Sequence, residues 1–288
     1  MEQNQPHGAP TLFQDASVFT VDYIPDPGPY RMIQAEELAF ELRPGMTGST
    51  PGNVICRGPP GTGKTACVRA IFSEIEALTS RFVPVYVDCR VDRTRYSILS
   101  RISLNLTGRP PAEDMDESEV TETIADHLLE HRAVLVICLD EIVCLGGKSE
   151  INHILSVLLR MYESYPGTRV GVVATVSDLS YHLSASLDPS VFSVFHPVEI
   201  FFQPFRIGEI RGILRDRVRQ GLAPRVVPVK VLEMVVERTR ECGDIRVGLD
   251  LLKRAATLAE ENGRRSVTRE DVHAALESLG GGDVVNER

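Results

Sequence analysis

The stretch from Ile55 to Ile71 reads ICRGPPGTGKTACVRAI, and it decides the fold. Its centre matches the Walker A pattern G-x-x-x-x-G-K-[S/T], with an apolar run before it and a helical pattern after it. Such glycines let backbone N–H groups converge on phosphates, and the helix adds the positive end of its dipole. We therefore predict a nucleoside triphosphate site in which Lys64 contacts the β- and γ-phosphates and Thr65 binds Mg²⁺. The residues predicted to contact nucleotide here are Gly58, Pro59, Pro60, Gly61, Thr62, Gly63, Lys64, Thr65 and Ala66.

A second motif ends the apolar run Ala133 to Leu139, which is followed by Asp140 and Glu141. A continuous apolar run favours a central parallel strand that is buried on both faces. Doubly wound sheets bind ligands at the carboxyl ends of their strands, so both acids are expected there. We predict that Asp140 orients Mg²⁺ and its waters, and that Glu141 polarises the attacking water.

Strand and helix patterns alternate from residue 53 to about 205, which predicts an α/β domain with a parallel sheet. From Arg206 onward only helical patterns follow, which predicts a small helical domain. The predicted strands are 53–57, 83–87, 133–139, 169–176 and 199–202. The predicted helices are 33–42, 65–78, 98–106, 119–130, 151–162, 208–219, 229–239, 245–262 and 268–279. The predicted organisation is a flexible leader 1–20, a nucleotide-binding domain 21–205, a helical lid 206–279 and a flexible tail 280–288.

Composition narrows the class of protein. The chain has 288 residues, of which 43% are hydrophobic and 25% charged, and this is typical of a soluble globular protein. No apolar stretch is long enough for a membrane span or a secretion signal, so we expect a cytoplasmic protein without a membrane partner. The net charge of -9 argues against coating nucleic acid by bulk charge, so any DNA contact must be local. Six cysteines without a CxxC pair favour free, reduced thiols.

Two weaker patterns leave alternatives open. His127-Leu-Leu-Glu-His131 matches the inverted zinc-protease signature, but no further acidic ligand can be placed, so surface histidines are the preferred interpretation. The charged turn around Arg93 and the arginines between Arg206 and Arg225 indicate solvated surfaces, with a local DNA-binding patch as the alternative.

Taken together, the motifs resemble an AAA+ ATPase, and more narrowly the archaeal origin-recognition and Cdc-type replication initiators. The resemblance covers roughly residues 21–278. It rests on the segment from Tyr23 to Arg31, GPPGTGKT, VYVDC followed by TRYSILSRI, the Leu-Asp-Glu strand, SLDPSV, EIFFQPF, and GDIRVGLDLLKRAATLAEENGRRSVTREDV. It implies an AAA+ P-loop domain with a parallel sheet flanked by helices, followed by an all-helical lid.

The resemblance also implies roles for single residues. Ile24, Pro25 and Arg31 are expected near the adenine, with Tyr30 where the family commonly has histidine. Arg246 matches the sensor 2 arginine, which reaches from the lid to the γ-phosphate.

At the sensor 1 position, where the family usually has asparagine, we expect Thr175, with Ser177 as the alternative. A hydroxyl offers one donor where an amide offers two, so this orientation of the γ-phosphate or water is expected to be poorer.

The sequence departs from the family at two places. Ser190 stands where the family usually carries an arginine finger, a residue worth about 10³–10⁵ in rate, so hydrolysis in a homo-oligomer is doubtful. Family members normally continue into a winged-helix domain that grips duplex DNA, whereas this chain ends at Arg288. We therefore expect weak DNA binding, with the remaining contact at the helical insert around 101–115.

The leading hypothesis is a replication initiator that uses ATP or ADP as a conformational switch for origin DNA binding or helicase loading, with slow hydrolysis. The alternative is a truncated regulatory paralogue that binds ATP and a protein partner, either a full-length initiator or the replicative helicase, without recognising origins. A third interpretation is an AAA+ ATPase of another branch, such as a clamp-loader-like subunit, in which a partner contributes an arginine.

Overall fold

The computed structural model describes residues 11–20, 23–24 and 29–280. The chain divides into two compact units. One contains the described residues of Ile24–Gln203, and the other joins those of Pro204–Arg288 to those of Met1–Tyr23. The boundary after the sheet lies within two residues of the predicted one, and the chain crosses between units a second time near residue 24.

The larger unit is built on a parallel sheet of five strands in the order β2-β3-β4-β1-β5. The strands are β1 Val54–Arg57, β2 Phe82–Asp88, β3 Val134–Asp140, β4 Val170–Val176 and β5 Val198–Phe201. Its helices are α1 Met32–Met46, α2 Lys64–Leu78, α3 Arg95–Thr107, α4 Glu117–Glu130, α5 Lys148–Leu159, α6 Met161–Ser164, α7 Leu183–Ser186 and α8 Pro189–Phe195. This architecture confirms the predicted α/β class.

Strands β3 and β4 are buried along their whole length, because helices cover both faces of the sheet. One core cluster contains the residues of the sheet face covered by α3, α4 and α5, and another contains those of the face covered by α1 and α2. Alternate residues of β3 contribute to opposite faces, so Val134, Val136 and Cys138 face the same side as α2. By the same alternation Asp140 ends β3 on the α2 side.

The smaller unit is helical. Its helices are α9 Ile207–Gly221, α10 Val229–Cys242, α11 Ile245–Glu261 and α12 Arg269–Gly280. The turn between α10 and α11 has Gly243 in the left-handed region, with φ 69°, and Asp244 caps α11 by accepting a hydrogen bond from the backbone of Arg246. Glycine suits position 243 because it lacks a Cβ and so adopts the left-handed conformation without a steric clash.

The expectation of a flexible leader through residue 20 is wrong for residues 11–20, which pack against the helical unit. Leu12, Val18 and Phe19 are buried in its core. The approach is close enough that a Cβ on Gly221 would lie 2.4 Å from the ring of Phe19. Residues 1–10 and the predicted tail beyond 280 lie outside the described residues.

Two short helices, α7 and α8, were not predicted from the sequence, although Asp188-Pro189 is a typical helix start. Of the six free cysteines, Cys144 and Cys242 are exposed and the other four are buried. Every helix in the described part of the chain is too short or too polar to cross a bilayer.

Candidate nucleotide-binding site

The Walker loop connects β1 to α2, and its glycines are required by the backbone. Gly61 and Gly63 have φ of 70° and 89°, and Gly63 is the residue before α2 begins at Lys64. A Cβ on Gly58 would lie 2.2 Å from the carbonyl oxygen of Phe202. The loop can therefore keep this path only with glycine at these three positions, and it leads into the N-terminus of a 15-residue helix.

Lys64 curls back over the loop that precedes it. Its side chain is buried, with 5% exposed, and Nζ donates to the carbonyl oxygens of Gly58 at 2.7 Å and Pro59 at 3.1 Å. Nζ also donates to Ser177 Oγ at 2.8 Å. The Lys64 ammonium group thus lies against the loop, where it can donate to a phosphate oxygen instead of its present partners.

Asp140 is the most heavily hydrogen-bonded carboxylate of the site, and only 1% of it is exposed. Thr175 Oγ1 donates to Oδ1 at 2.6 Å, and the Tyr86 hydroxyl donates to Oδ2 at 2.6 Å. Thr65 Oγ1 lies 3.0 Å from both oxygens. Mg²⁺ prefers oxygen ligands and is usually held by one or two carboxylates together with phosphates. A buried carboxylate beside the Thr65 hydroxyl fits that requirement.

Glu141 follows Asp140 with φ 53°, a left-handed conformation that is uncommon for a residue other than glycine. Its backbone N–H donates to Thr175 Oγ1 at 2.8 Å, which fixes this turn. Its carboxylate accepts hydrogen bonds from the hydroxyl and, at 3.3 Å, from the backbone N–H of Ser177. The turn therefore directs the two neighbouring acids to different partners.

The two hydroxyl residues at the end of β4 have different environments. Thr175 is fully buried, donates its only hydroxyl proton to Asp140 and accepts from the backbone of Glu141. Ser177 instead lies between Lys64 and the Glu141 carboxylate. The expected γ-phosphate contact therefore fits Ser177, the alternative, better than Thr175, because Ser177 is partly exposed and contacts Lys64, whereas Thr175 is fully buried against Asp140.

Sequence reasoning missed Tyr86. It lies on β2, whose residue Asp88 is in register with Asp140 of β3. The guanidinium of Arg69 on α2 stacks over the Tyr86 ring, 4.0 Å from its centroid. Burial raises the pKa of Tyr86, and the Asp140 charge raises it further, so the phenol stays protonated and remains a donor. No local sequence pattern marks it, because its partner Asp140 lies on the neighbouring strand β3.

Charged groups also surround the end of β2. Arg90 donates to both carboxylate oxygens of Asp88, at 2.9 and 2.8 Å, and these hydrogen bonds lower the pKa of Asp88. The same guanidinium lies 4.0 Å from Asp140 Oδ2. Burial raises the pKa of Cys67, in the first turn of α2, to about 12, so its thiol stays neutral.

Arg31 braces the Walker loop from the segment before α1. It is buried, and Nε donates to the carbonyl oxygen of Thr62 at 2.8 Å. Nη2 donates to the carbonyl of Gln203 at 2.6 Å, and Nη1 to that of Tyr30 at 2.8 Å. Its predicted contact with adenine stays a prediction, as does that of Ile24, which is exposed. Pro25 lies outside the described residues.

Arg246 belongs to the helical unit. It lies in the first turn of α11, where its guanidinium pairs with Asp244 at 2.5 Å, and 45% of its side chain is exposed. Its reach toward a γ-phosphate stays a prediction.

The remaining candidates contact other residues of the α/β unit. Ser190 lies in the first turn of α8, and its carbonyl accepts from Arg160 Nη2 at 2.9 Å. The rings of His127 and His131 stack, with centroids 4.2 Å apart, and the described residues contain no cluster of three or more side chains suited to a metal. Arg95, in the predicted charged turn, pairs with Glu117 and Glu150.

Comparison with known families assigns both units. Residues 46–175 match the model of an AAA domain, and residues 211–277 match that of the Cdc6 AAA+ ATPase-type lid domain.

Individual relatives agree with these matches. The chain is 41% identical over 269 residues to ORC1-type DNA replication protein 2 of Methanosarcina mazei, covering 93% of this chain and 72% of the relative. It is also 41% identical to ORC1-type DNA replication protein 3 of Haloarcula marismortui, again covering 93% of this chain and 72% of the relative. Among solved structures, Aeropyrum pernix ORC1 in complex with DNA has a TM-score of 0.82 at 30% identity, covering 93% of this chain and 70% of that one. Cdc6p from Pyrobaculum aerophilum has a TM-score of 0.80 at 26% identity, covering 93% of this chain and 72% of that one.

Proposed function

This chain belongs to the ORC1/Cdc6-type AAA+ replication proteins, and we propose that it is a cytoplasmic ATP-dependent switch of the initiator type. It binds ATP with Mg²⁺ at the Walker loop and hydrolyses it slowly. The change from ATP to ADP then alters its binding of origin DNA or of the helicase that is loaded there.

The observation that carries the proposal is the hydrogen-bonded chain Lys64–Ser177–Glu141 beside the Thr65–Asp140 pair. These five side chains supply a cation for phosphate, a ligand set for Mg²⁺ and a carboxylate for water. They lie at the carboxyl edge of the sheet, at the ends of β3 and β4 and at the start of α2. A solvated strand end would not need a buried lysine and a buried aspartate in such an arrangement.

Each residue has a distinct task in the proposed reaction. Lys64 exchanges its contacts with Pro59 and Ser177 for phosphate oxygens. Thr65 and Asp140 hold Mg²⁺, which when bound neutralises charge on the β- and γ-phosphates. Glu141 orients the attacking water and accepts its proton, and Ser177 positions the Glu141 carboxylate.

Slow turnover follows from Ser190. Where this family usually offers an arginine to a neighbouring ATP, this chain presents a hydroxyl on α8. An arginine in that role is worth about 10³–10⁵ in rate. Bound ATP therefore persists for longer before it is hydrolysed, as a switch requires.

The primary experiment is isothermal titration calorimetry of ATP binding with Lys64→Ala. Truncating one partner of a buried charged contact costs about 2–5 kcal/mol, so affinity should fall about 30- to 4,000-fold. Lys148→Ala is the matched control, since Lys148 is an exposed lysine of the same unit, and it should bind ATP as the wild type does. Unchanged affinity in Lys64→Ala would overturn the proposal.

A second candidate is a regulatory paralogue that binds ATP and an initiator or helicase partner without recognising origins. The net charge of -9 and Ser190 favour it. Fluorescence anisotropy with duplex DNA at increasing salt separates the two. A plot of log affinity against log salt with a slope of about -0.9 per phosphate contact supports the initiator, and no binding at low salt supports the regulator.

A further inference from the structure

We propose that Tyr86 is a positioning residue for Mg²⁺, because its hydroxyl fixes the orientation in which the Asp140 carboxylate binds the ion. This inference rests on the proposed ATP–Mg²⁺ function and assigns a new role within the same site. The hydroxyl lies 2.6 Å from Asp140 Oδ2, at the lower end of hydrogen-bond lengths.

Two donors hold the carboxylate from opposite sides. Tyr86 donates to Oδ2 and Thr175 donates to Oδ1, each at 2.6 Å. Thr65 Oγ1 is equidistant from the two oxygens, at 3.0 Å. The carboxylate therefore presents its open edge symmetrically to Thr65, the other predicted metal ligand. If Tyr86 releases Oδ2, the group can rotate about its Cβ–Cγ bond and lose this alignment.

The sheet explains why Tyr86 occupies this position. Strand β2 is the neighbour of β3, with Tyr86 in register with Cys138 and Asp88 in register with Asp140. Tyr86 packs against the core cluster on the α2 side, so its side chain leaves the sheet on the same face as Asp140. A phenol is long enough to reach the next pair along the strand, which a serine or threonine at this position could not do.

The ring itself is held by α2, the helix that follows the Walker loop. The Arg69 guanidinium lies 4.0 Å from the Tyr86 ring centroid. Thr65 and Arg69 are four residues apart and therefore on neighbouring turns of one helix face. One helix thus supplies the hydroxyl ligand and also the cation that fixes the ring of the positioning residue.

The test is the Mg²⁺ dependence of ATP binding in Tyr86→Phe, which keeps the ring and removes only the hydroxyl. Partners that orient a metal ligand typically contribute about 10- to 100-fold to metal affinity. The Mg²⁺ concentration for half-maximal tightening of ATP binding should rise by about that factor. The Mn²⁺ affinity of the nucleotide complex, measured by titration followed by electron paramagnetic resonance, should fall by the same factor. ATP affinity in EDTA should change less than about twofold, because the phosphate contacts are untouched.

Tyr181→Phe is the matched control. Its hydroxyl also makes a side-chain hydrogen bond in the same unit, to Ser186 Oγ at 2.9 Å, away from Asp140. It should leave both metal titrations unchanged. Near-ultraviolet circular dichroism and thermal unfolding of both variants report on the fold separately.

The outcomes distinguish this inference from the proposed function. Wild type that binds ATP, with a Tyr86→Phe variant whose Mg²⁺ and Mn²⁺ dependence is unaltered, overturns the positioning role even if stability falls. Wild type that takes up no ATP overturns the proposed function and with it this inference. A metal shift confined to Tyr86→Phe supports both.

Discussion

The α/β unit and the helical unit hold their candidate residues in different ways. In the α/β unit Lys64, Asp140 and Thr175 are buried and joined to their neighbours by hydrogen bonds. In the helical unit Arg246 is 45% exposed and pairs with Asp244, two residues away. Exposed ion pairs contribute only about 0–1 kcal/mol, so the Arg246–Asp244 pair is weak. The α/β unit therefore holds its candidate residues in fixed positions, whereas the candidate of the helical unit is held by a weak, exposed pair.

The largest expected effect is in the α/β unit. Glu141→Gln keeps the size of the side chain but cannot accept a proton, so ATP turnover should fall about 10²- to 10⁴-fold. ATP affinity should stay within about threefold, since the contacts of Lys64 are retained. Phosphate release and nucleotide titration measure the two quantities. Glu150→Gln, which alters a carboxylate paired with Arg95, is the control. Normal turnover in Glu141→Gln would place the base elsewhere.

Arg246→Ala tests the predicted γ-phosphate contact of the helical unit. A hydrogen bond to a charged group is worth about 1.5–3 kcal/mol, so ATP should bind about 10- to 150-fold more weakly. ADP affinity should hardly change, because ADP lacks the γ-phosphate. Arg254→Ala is closely matched, since Arg254 is also on α11, pairs with Asp250 at 2.8 Å and is 46% exposed. Equal losses for ATP and ADP would remove the predicted sensor role.

The smallest effects separate the two hydroxyls at the end of β4. Thr175→Val removes one donor from the buried Asp140 carboxylate and leaves the backbone N–H of Glu141 unpaired, so the free energy of unfolding should fall by about 1–3 kcal/mol. Ser177→Ala should lower it less but slow turnover about 2- to 12-fold, because Glu141 loses a positioning hydrogen bond worth about 0.5–1.5 kcal/mol. Urea unfolding and phosphate release measure both variants. The reverse pattern would make Thr175 the functional hydroxyl.

Much of the α/β unit could be predicted because its signals are local. The apolar run before Asp140 became β3. The glycine pattern at 58–65 became the loop between β1 and α2 together with the first two residues of α2. The packing of segment 11–20, through its buried residues Leu12, Val18 and Phe19, could not be predicted in this way. Its few apolar residues have no regular spacing, and their burial depends on the distant Gly221.

The site was predictable in its motifs and less so in its hydrogen bonds. Thr175 and Ser177 are two residues apart, so alternation directs both to one side of the sheet. The sequence cannot say which hydroxyl donates to Asp140 and which to Glu141. Tyr86 was missed because its partner, Asp140, lies on another strand. Its role depends on strand order and register, which are properties of the folded sheet.

The most direct test of ATP binding at the Walker loop is a crystal structure of the chain with Mg²⁺ and a non-hydrolysable ATP analogue. We expect the triphosphate over the loop between β1 and α2, with Lys64 Nζ moved from Pro59 and Ser177 to phosphate oxygens. A nucleotide bound elsewhere, with Lys64 still on these two partners, would contradict the central claim.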